Sequence, residues 1–316
     1  MMRDEVMKKV SIFIPCYNEE ANVEPLVAEI VDTFKNELPN YDYEVLFIDN
    51  CSTDSTRDCL RKVCSENSKV KAIFNARNFG PGKSSYHGML QTTGDCTICM
   101  FADFQTPANL IPKFVEEWEN GYKIVSAIKT KSDEIFIIWI IRSLYYKIIR
   151  KMSDVEQIEH FTGFGLYDKS FIDIMRNIKD PMPYNKGIIC ELGHKRKDIP
   201  FEQPKRKTGK SSYSFFKYYD EAMLGFTSYT KVGLRLASIT GFIFAVFSFF
   251  IAIVYLIYKF LFWQDFSLGI APLVIGIFFL GSIQLFFLGF IGEYIMAINI
   301  RVMNRPLVVE EERINF

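Results

Sequence analysis

The chain lacks an excess of charge of either sign, and it is poor in histidine. Its 316 residues hold 37 Lys and Arg against 37 Asp and Glu, with only 3 His. A balanced net charge gives no general attraction to nucleic acid, so no nucleic-acid partner is expected. The histidines, at positions 87, 160 and 194, form no metal-spaced cluster and no Ser/His/Asp or Cys/His arrangement, so each is interpreted as structural.

Cysteine pairs are also scarce. The chain has 7 cysteines, an odd and scattered set that favours free thiols in a reducing compartment. Cys96 and Cys99 form a single C-x-x-C, and a metal site of that kind needs a second pair, so both are expected in the core. The opening MMRDEVMKK leads directly into a short apolar run, which does not resemble a signal peptide.

A glycine-rich phosphate loop is missing. Neither G-x-G-x-x-G nor G-x-x-x-x-G-K-[ST] occurs, so backbone amides alone are not expected to cradle a phosphate. The alternative is a divalent cation held by oxygen ligands. Asp103 and Gln105 offer two oxygens on one side of an extended segment, because residues i and i+2 point the same way. They are the candidate ligands for Mg²⁺ or Mn²⁺.

Short apolar runs alternate with helical patterns along the first 230 residues. Runs at 10–15, 43–48, 70–76 and 96–102 each end in polar residues, and helical stripes follow, for example Val23, Leu26, Val27, Ile30, Val31 and Phe34. A third helix is predicted at 83–92. Repeated β–loop–α units predict an α/β fold with a mostly parallel sheet and helices on both faces.

Polar residues at successive strand ends indicate one shared crevice, because ligands of open α/β sheets bind beyond the carboxyl ends of the strands. An acidic residue after a strand is often only a helix cap, and Ser52 or Asp54 suits that role. The residues expected to converge are Asn18, Glu19, Asp49, Asp54, Arg77 and Asp103.

Two runs without any ionisable residue occupy 236–258 and 266–292. Each exceeds the ~20 residues that a helix needs to cross a bilayer. Lys231, Arg235, Arg301 and Arg305 flank the pair, which favours a hairpin with both termini in the cytoplasm. The alternative is a pair of buried core helices. The predicted units are a domain at 1–212, interfacial helices at 213–235, the hairpin, and a cytoplasmic tail at 293–316.

The ordered segments SIFIPCYNEE, FIDNCSTDST, ARNFG and ADFQTP resemble family 2 glycosyltransferases of the GT-A fold. The whole chain is similar to polyisoprenyl-phosphate glycosyltransferases that carry a C-terminal transmembrane hairpin. The resemblance implies inverting transfer from a nucleotide sugar, with UDP favoured, to a polyprenyl phosphate such as undecaprenyl phosphate. It places the enzyme in the inner membrane, where it would supply a lipid-linked sugar for envelope glycans.

The resemblance assigns the nucleobase and ribose to Pro15, Tyr17, Glu19 and Asp49, beside which we place Asn18, Ser52, Asp54 and Arg77. The family's metal motif, Asp-Ala-Asp-x-Gln, aligns with 101–105. Asp103 and Gln105 match, and Asp103 is expected to be essential for catalysis. Phe101 replaces the first Asp. The family's acidic base aligns with Gly163, and the Arg of that segment with Gly165.

The basic segment 203–214 resembles the family's Arg-x-x-Gly-x-Ser-Lys-Tyr motif. Arg206 and Lys210 are expected to act on phosphate charge, and Ser211 and Tyr213 to contact the acceptor. A plain juxtamembrane anchor is the alternative. The apolar segment 135–149 is interpreted as an interfacial helix, with a core helix as the alternative. Its Arg142, together with Lys129 and Lys131, is a candidate contact for the acceptor phosphate.

Two other functions were weighed from the sequence. A processive polysaccharide synthase would carry Gln-x-x-Arg-Trp, and none of the 3 tryptophans lies in that motif. A non-catalytic membrane scaffold on a glycosyltransferase fold stays open because of Phe101 and Gly163. A homo-oligomer is also open, with 301–316 available to dock on a neighbouring protomer.

Overall fold

One mixed sheet forms the centre of the molecule. The structure is a computed structural model and describes residues 7–131, 158, 161–204, 215–230, 232–262 and 270–316. Within them the strands are β1 Lys9–Cys16, β2 Asp42–Asp49, β3 Val70–Asn75, β4 Cys96–Cys99, β5 Ile124–Lys131, β6 Phe161–Asp168, β7 Arg196–Glu202 and β8 Glu310–Ile314. Their order in the sheet is β7-β5-β6-β4-β1-β2-β3-β8.

The half of the sheet that carries the predicted crevice is parallel. β1 pairs in parallel with β2 and β4, and β2 pairs in parallel with β3. β5 and β7 are also parallel, whereas β6 runs antiparallel to β4 and β5. The predicted mostly parallel α/β sheet is therefore confirmed, with an antiparallel strand inserted at β6.

Helices cover both faces of this sheet, as predicted. They are α1 Val23–Asn36, α2 Thr56–Glu66, α3 Pro81–Leu90, α4 Ile111–Glu119, α5 Lys169–Asn177 and α6 Asn185–Glu191. Residues of α1, α2 and α4 share one buried cluster with Val10, Ile12 and Ile14 of β1. Residues of α3, α5 and α6 share the other with Phe13. Successive side chains of β1 point to opposite faces of the sheet, so β1 contributes residues to both buried clusters.

The local patterns explain individual elements. The stripe predicted for α1 is buried at Val23, Leu26, Val27, Ile30 and Phe34. α3 begins two residues earlier than predicted because Pro81 occupies its first turn, where a missing N–H costs nothing. Cys96 and Cys99 are buried, one in each cluster, so their expected place in the core is confirmed.

Three further helices precede the last strand: α7 Phe215–Tyr229, α8 Val232–Leu261 and α9 Ile270–Met303. Stretches of α8 at Leu234–Ile251 and of α9 at Phe279–Met303 are long and apolar enough to cross a membrane. No residue of the first stretch is buried, and Phe242 and Phe247 are among its most exposed side chains. Core helices would bury this surface, so the chain is associated with a membrane. α8 extends beyond the predicted span 236–258 at both ends, and α9 extends past the predicted end at 292.

The C-terminal residues complete the sheet of their own chain. β8 pairs antiparallel with β3, matching Ile73 with Arg313 and Phe74 with Glu312. Val308 is buried, and Asn315 Nδ2 donates to the carbonyl oxygens of Cys64 and Val70. The structure thus pairs 310–314 with a strand of the same chain, so this part of 301–316 is not available to pair with a neighbouring protomer, while the predicted boundaries of the tail at 293–316 stay a prediction. The sequence of this edge strand, EEERI, is mostly charged, so no apolar pattern predicted it.

A buried carboxylate ties together the amino ends of the central strands. Glu44 accepts hydrogen bonds from Ser11 Oγ at 2.6 Å and Thr93 N at 2.7 Å. Its Oε2 lies 2.8 Å from Lys9 Nζ and 2.9 Å from Lys71 Nζ. Burial alone would raise the pKa of Glu44, but these donors outweigh it and lower the pKa from 4.5 to about 2.

We predict that Glu44→Gln lowers the free energy of unfolding at pH 7 by about 3 kcal/mol, because two lysines lose their partner. The folded pKa lies below the unfolded one, so the stabilisation is complete above pH 4.5 and disappears as the pH falls from 4.5 toward 2. Thermal melts between pH 7 and pH 3 should therefore show a shallower decline for Glu44→Gln than for the wild type. Parallel declines would contradict this role.

Candidate active site

The loops after β1 and β2 are linked to each other by reciprocal hydrogen bonds. Asn18 N donates to Ser52 Oγ at 2.9 Å, and Thr53 N donates to Asn18 Oδ1 at 2.8 Å. Asn18 Nδ2 returns a bond to Thr53 Oγ1 at 3.2 Å. Tyr17 beside them is half-exposed at the rim. Two of the predicted nucleotide-binding segments are thus held as one rigid unit.

Three loops of the crevice carry a non-glycine residue in the left-handed backbone region. Asn18 has φ 57° after β1, Cys51 has φ 62° after β2, and Phe104 has φ 60° after β4. Such residues persist only where the surroundings hold them, and they cluster at functional sites. The three loops lie side by side because β4, β1 and β2 are adjacent parallel strands, with β1 in the middle, and their carboxyl ends lie at one edge of the sheet.

Asp49, the last residue of β2, is fully buried at the floor of this crevice. The N–H of Ser52 lies 3.2 Å from both carboxylate oxygens, and Arg57 Nε lies 3.1 Å from Oδ2. Burial raises the pKa of Asp49 although Ser52 and Arg57 oppose it. Register places Asp49 beside Cys16, so Pro15 and Tyr17 flank the same position on the neighbouring strand.

Asp54 and Glu19 lie in the same loops but have structural partners. Asp54 Oδ1 accepts from Thr56 N at 3.0 Å in a local turn before α2, and its Oδ2 accepts from Glu20 N at 3.3 Å. Glu19 Oε2 accepts from Asn22 Nδ2 at 2.6 Å, and Thr56 Oγ1 accepts from Glu19 N. Their nucleotide contacts stay predictions. The N-cap of α2 is Ser55 and carries no side-chain cap bond, so the expectation that Ser52 or Asp54 caps this helix is wrong.

A network of asparagines that the sequence analysis did not predict extends the floor toward β3. Asn75 is fully buried, and its Nδ2 donates to Asn50 Oδ1 at 3.3 Å and Ser84 Oγ at 3.0 Å. Asn50 Nδ2 donates to Asn78 Oδ1 at 2.9 Å. The signal was available, since Asn50 and Asn75 both close apolar runs. Arg77 is exposed beside this network and stacks on Phe79, 4.0 Å from the ring centroid.

The predicted metal pair follows β4. Asp103 is buried, and its Oδ1 accepts the N–H of Gln105 at 3.1 Å, forming a tight turn around Phe104. Among the described residues, no group of three or more His, Cys, Asp or Glu side chains is placed to hold a metal. Mg²⁺ commonly binds through one or two protein oxygens together with substrate phosphates. The segment is a turn and not the extended stretch expected from the sequence, so the argument from alternating side chains is wrong. Both residues still offer oxygen donors that suit a cation of that kind, and their role as its ligands stays a prediction.

Phe101 and Gly163, where the chain departs from the acidic residues of the family pattern, lie close together. β4 and β6 pair so that Cys99 faces Gly165, which brings the loop after β4 beside Gly163. A Cβ built on Gly163 would lie 4.0 Å from Phe101 Cζ. Gly163 has φ 100°, where any L side chain is strained, and Tyr167 Oη donates to its carbonyl at 2.9 Å. Phe101 and Gly163, which replace two acidic residues of the family pattern, thus lie close together and neither carries a carboxylate.

The predicted acceptor residues fall mostly outside the described residues. Lys129 lies in β5 opposite Phe201 of β7, and the backbone of Lys131 pairs with Glu202. The segments 135–149 and 205–214 are not among the described residues. The predictions that fall there are Arg142, Arg206, Lys210, Ser211 and Tyr213.

The sequence and its relatives decide the family. A family model described as Glycosyl transferase family 2 matches residues 11–175, just over half of the chain. The chain belongs to glycosyltransferase family 2. This glycosyltransferase is 32% identical over 302 residues to the putative glycosyltransferase CsbB of Bacillus subtilis, covering 94% of this chain and 89% of the relative. It is 27% identical to the bactoprenol glucosyl transferase of Shigella phage SfX, over 96% and 99% of the two chains.

Solved structures with a similar fold are more distant in sequence. Mannosyl-3-phosphoglycerate synthase from Rubrobacter xylanophilus shares 13% identity at a TM-score of 0.49, over 69% of this glycosyltransferase and 71% of that chain. The mannosyltransferase PcManGT from Pyrobaculum calidifontis, in complex with GDP-Man and Mn²⁺, shares 15% identity at a TM-score of 0.45, over 95% and 88% of the two chains.

We predict that Asn18→Ala weakens nucleotide binding by about tenfold, because it removes the link to Thr53 and leaves a left-handed backbone that costs Ala about 1 kcal/mol. Asn18→Gly removes the same side chain without the backbone cost. Calorimetric titration with UDP and GDP should show weakened binding in both variants, and Asn18→Ala should have the lower affinity. Unchanged affinity in both would remove Asn18 from the site.

Proposed function

We propose that this glycosyltransferase transfers a sugar from a nucleotide sugar to a polyprenyl phosphate at the cytoplasmic face of a membrane. The observation that carries the proposal is the union, in one chain, of polar loop residues at the carboxyl ends of β1, β2 and β4 with a pair of exposed apolar helices. Relatives that span nearly the whole chain are named bactoprenol glucosyl transferases, which supports a lipid acceptor.

The donor nucleotide would bind over the ends of β1 and β2. Asp49 is buried and paired with Arg57, which fixes its carboxylate in a position that suits hydrogen bonding to a nucleobase or ribose. Tyr17 offers an exposed ring at the rim, and Ser52 and Asn18 shape the wall between them. A uridine diphosphate is the donor that we favour, by resemblance to the family.

The diphosphate would extend from that position toward the end of β4. Asp103 and Gln105 would hold a divalent cation there, Mg²⁺ or Mn²⁺, which when bound neutralises charge on the leaving diphosphate. Arg206 and Lys210 belong to a segment close to the membrane helices in sequence, and we assign them to the phosphate charges. Lys129, Lys131, Arg142, Ser211 and Tyr213 are our candidates for the acceptor phosphate.

The chemistry of a phosphate acceptor explains why Gly163 is tolerated. A sugar hydroxyl would need a general base, which typically contributes 10²–10⁴-fold. A phosphate monoester has a second pKa of about 6 and is already an anion near neutral pH. Its oxygen attacks the anomeric carbon in line while the bond to the nucleotide diphosphate breaks. The single displacement inverts the anomeric configuration.

The sheet supports the proposed topology. β1 and β8 belong to one sheet, which supports a topology with the N-terminal domain and the C-terminus on the same side of the membrane. The apolar helices α8 and α9 lie between them in sequence, and two crossings return the chain to its starting side. Positive flanks favour the cytoplasm for that side. We propose a hairpin in the inner membrane with both termini in the cytoplasm.

The test is transfer by the purified protein in detergent with a panel of nucleotide sugars and Mn²⁺ or Mg²⁺. Undecaprenyl phosphate should accept the sugar with inversion, and the rate should rise with pH through the acceptor's second ionisation and then level. Undecaprenol should be inert, because its hydroxyl needs a base and Gly163 replaces the family's acidic base. Equal transfer to undecaprenol, retention of configuration, or no transfer from any donor would contradict the proposal.

We predict that Asp103→Ala reduces turnover more than tenfold while the melting temperature changes little. Asp103 is the proposed anionic ligand of the cation, and without that cation the charge on the leaving diphosphate is not neutralised. Asp58→Ala, which removes an exposed carboxylate from α2, is the matched control and should keep normal turnover. EDTA should abolish wild-type activity, and added Mn²⁺ should restore it. An Asp103→Ala variant with near-normal turnover, or full activity in EDTA, would refute the metal assignment.

A further inference from the structure

We infer that Arg57 and Glu311 are positioning residues for the donor site, through which the C-terminal strand orients Asp49. The inference rests on the proposed role of Asp49 in holding the nucleotide. Neither residue belongs to a sequence segment that we assigned to the site. Glu311 lies 254 positions from Arg57 in the chain, beyond the apolar helices.

Arg57 lies between the buried carboxylate and the edge strand. Its Nε is 3.1 Å from Asp49 Oδ2, and one terminal nitrogen donates to Glu311 Oε2 at 2.7 Å. The same nitrogen lies 3.3 Å from the carbonyl oxygen of Asn75. The guanidinium centre lies 5.2 Å from the ring centroid of Phe74. Asp49, Glu311, the Asn75 carbonyl and the Phe74 ring thus together hold the guanidinium under the site.

The charge balance at Asp49 explains why this cation matters. Asp49 is fully buried, and burial of a lone carboxylate disfavours its charged form. Arg57 is the cation that the structure pairs with it, in an ion pair whose Nε–H has no aligned acceptor. The pair is therefore held by charge and packing rather than by a directed bond. Glu311 holds the end of the Arg57 guanidinium that lies away from Asp49, so loss of Glu311 would let the guanidinium shift relative to Asp49.

The adjacent ion pair provides a matched control. Arg61 lies one helical turn after Arg57 in α2, and it donates to Glu312 of β8 at 2.8 Å. Arg61 also lies over Phe74, 5.1 Å from the ring centroid. The two glutamates anchor β8 to the same helix through similar exposed ion pairs, but only the pair of Glu311 continues to Asp49.

The experiment compares Arg57→Gln, Arg57→Lys, Glu311→Ala and Glu312→Ala in the full-length protein. Calorimetric titration with UDP, and with GDP in parallel, gives the nucleotide Kd in the presence of Mn²⁺. We expect Arg57→Gln to weaken binding at least tenfold and Glu311→Ala about threefold, because an exposed ion pair contributes little by itself. Arg57→Lys should recover part of the loss, and Glu312→Ala should stay within twofold of the wild type.

Melting temperatures and acceptor kinetics separate positioning from simple stability. Both glutamate variants should lower the melting temperature by similar amounts, since both release β8. Only Glu311→Ala should raise the KM for the donor, and neither should change the KM for undecaprenyl phosphate. Equal effects of the two variants on nucleotide Kd, or an unchanged Kd in Arg57→Gln, would overturn the inference. Absence of nucleotide binding by the wild type would instead overturn the proposed function, and this inference with it.

Discussion

The parallel pairing of β1 with β2 and β4 is the constraint on which the rest of the structure depends. It brings three loops with strained residues to one edge of the sheet and places Asp49 beside Cys16 in register. Strands in such a sheet are about 4.8 Å apart, so the ends of β2 and β4 are separated by about 10 Å. In the proposed function, a nucleotide held at the end of β2 would direct its diphosphate toward the end of β4.

The position of β8 makes the membrane helices part of the catalytic domain rather than an appendage. The chain leaves the sheet after β7, passes through α8 and α9, and returns to pair with β3. The helix ends are consequently tied at two points to the body that carries the crevice. This arrangement restricts the orientation of the crevice relative to the membrane, which a lipid-borne phosphate acceptor requires.

Sequence patterns predicted the elements whose cause is local. The apolar runs of β1 to β4, the stripe of α1 and the two apolar helices follow from periodicity and length, which each segment carries by itself. Other features depend on residues far apart in the chain. They are the place of β6 between β4 and β5, the ion pair of Glu311 with Arg57, and the position of Phe101 near Gly163. β8 was missed because four of its five residues are charged, which is typical of a protected edge strand.

A structure of the protein with UDP and Mn²⁺ bound, with manganese located by anomalous scattering, tests the central claim most directly. The account predicts a manganese peak within coordinating distance of Asp103 and the diphosphate, with the nucleoside over the ends of β1 and β2 beside Asp49. Arg57 should remain paired with Asp49 in that complex. Nucleotide bound away from these strand ends, or manganese that does not contact Asp103, would contradict it.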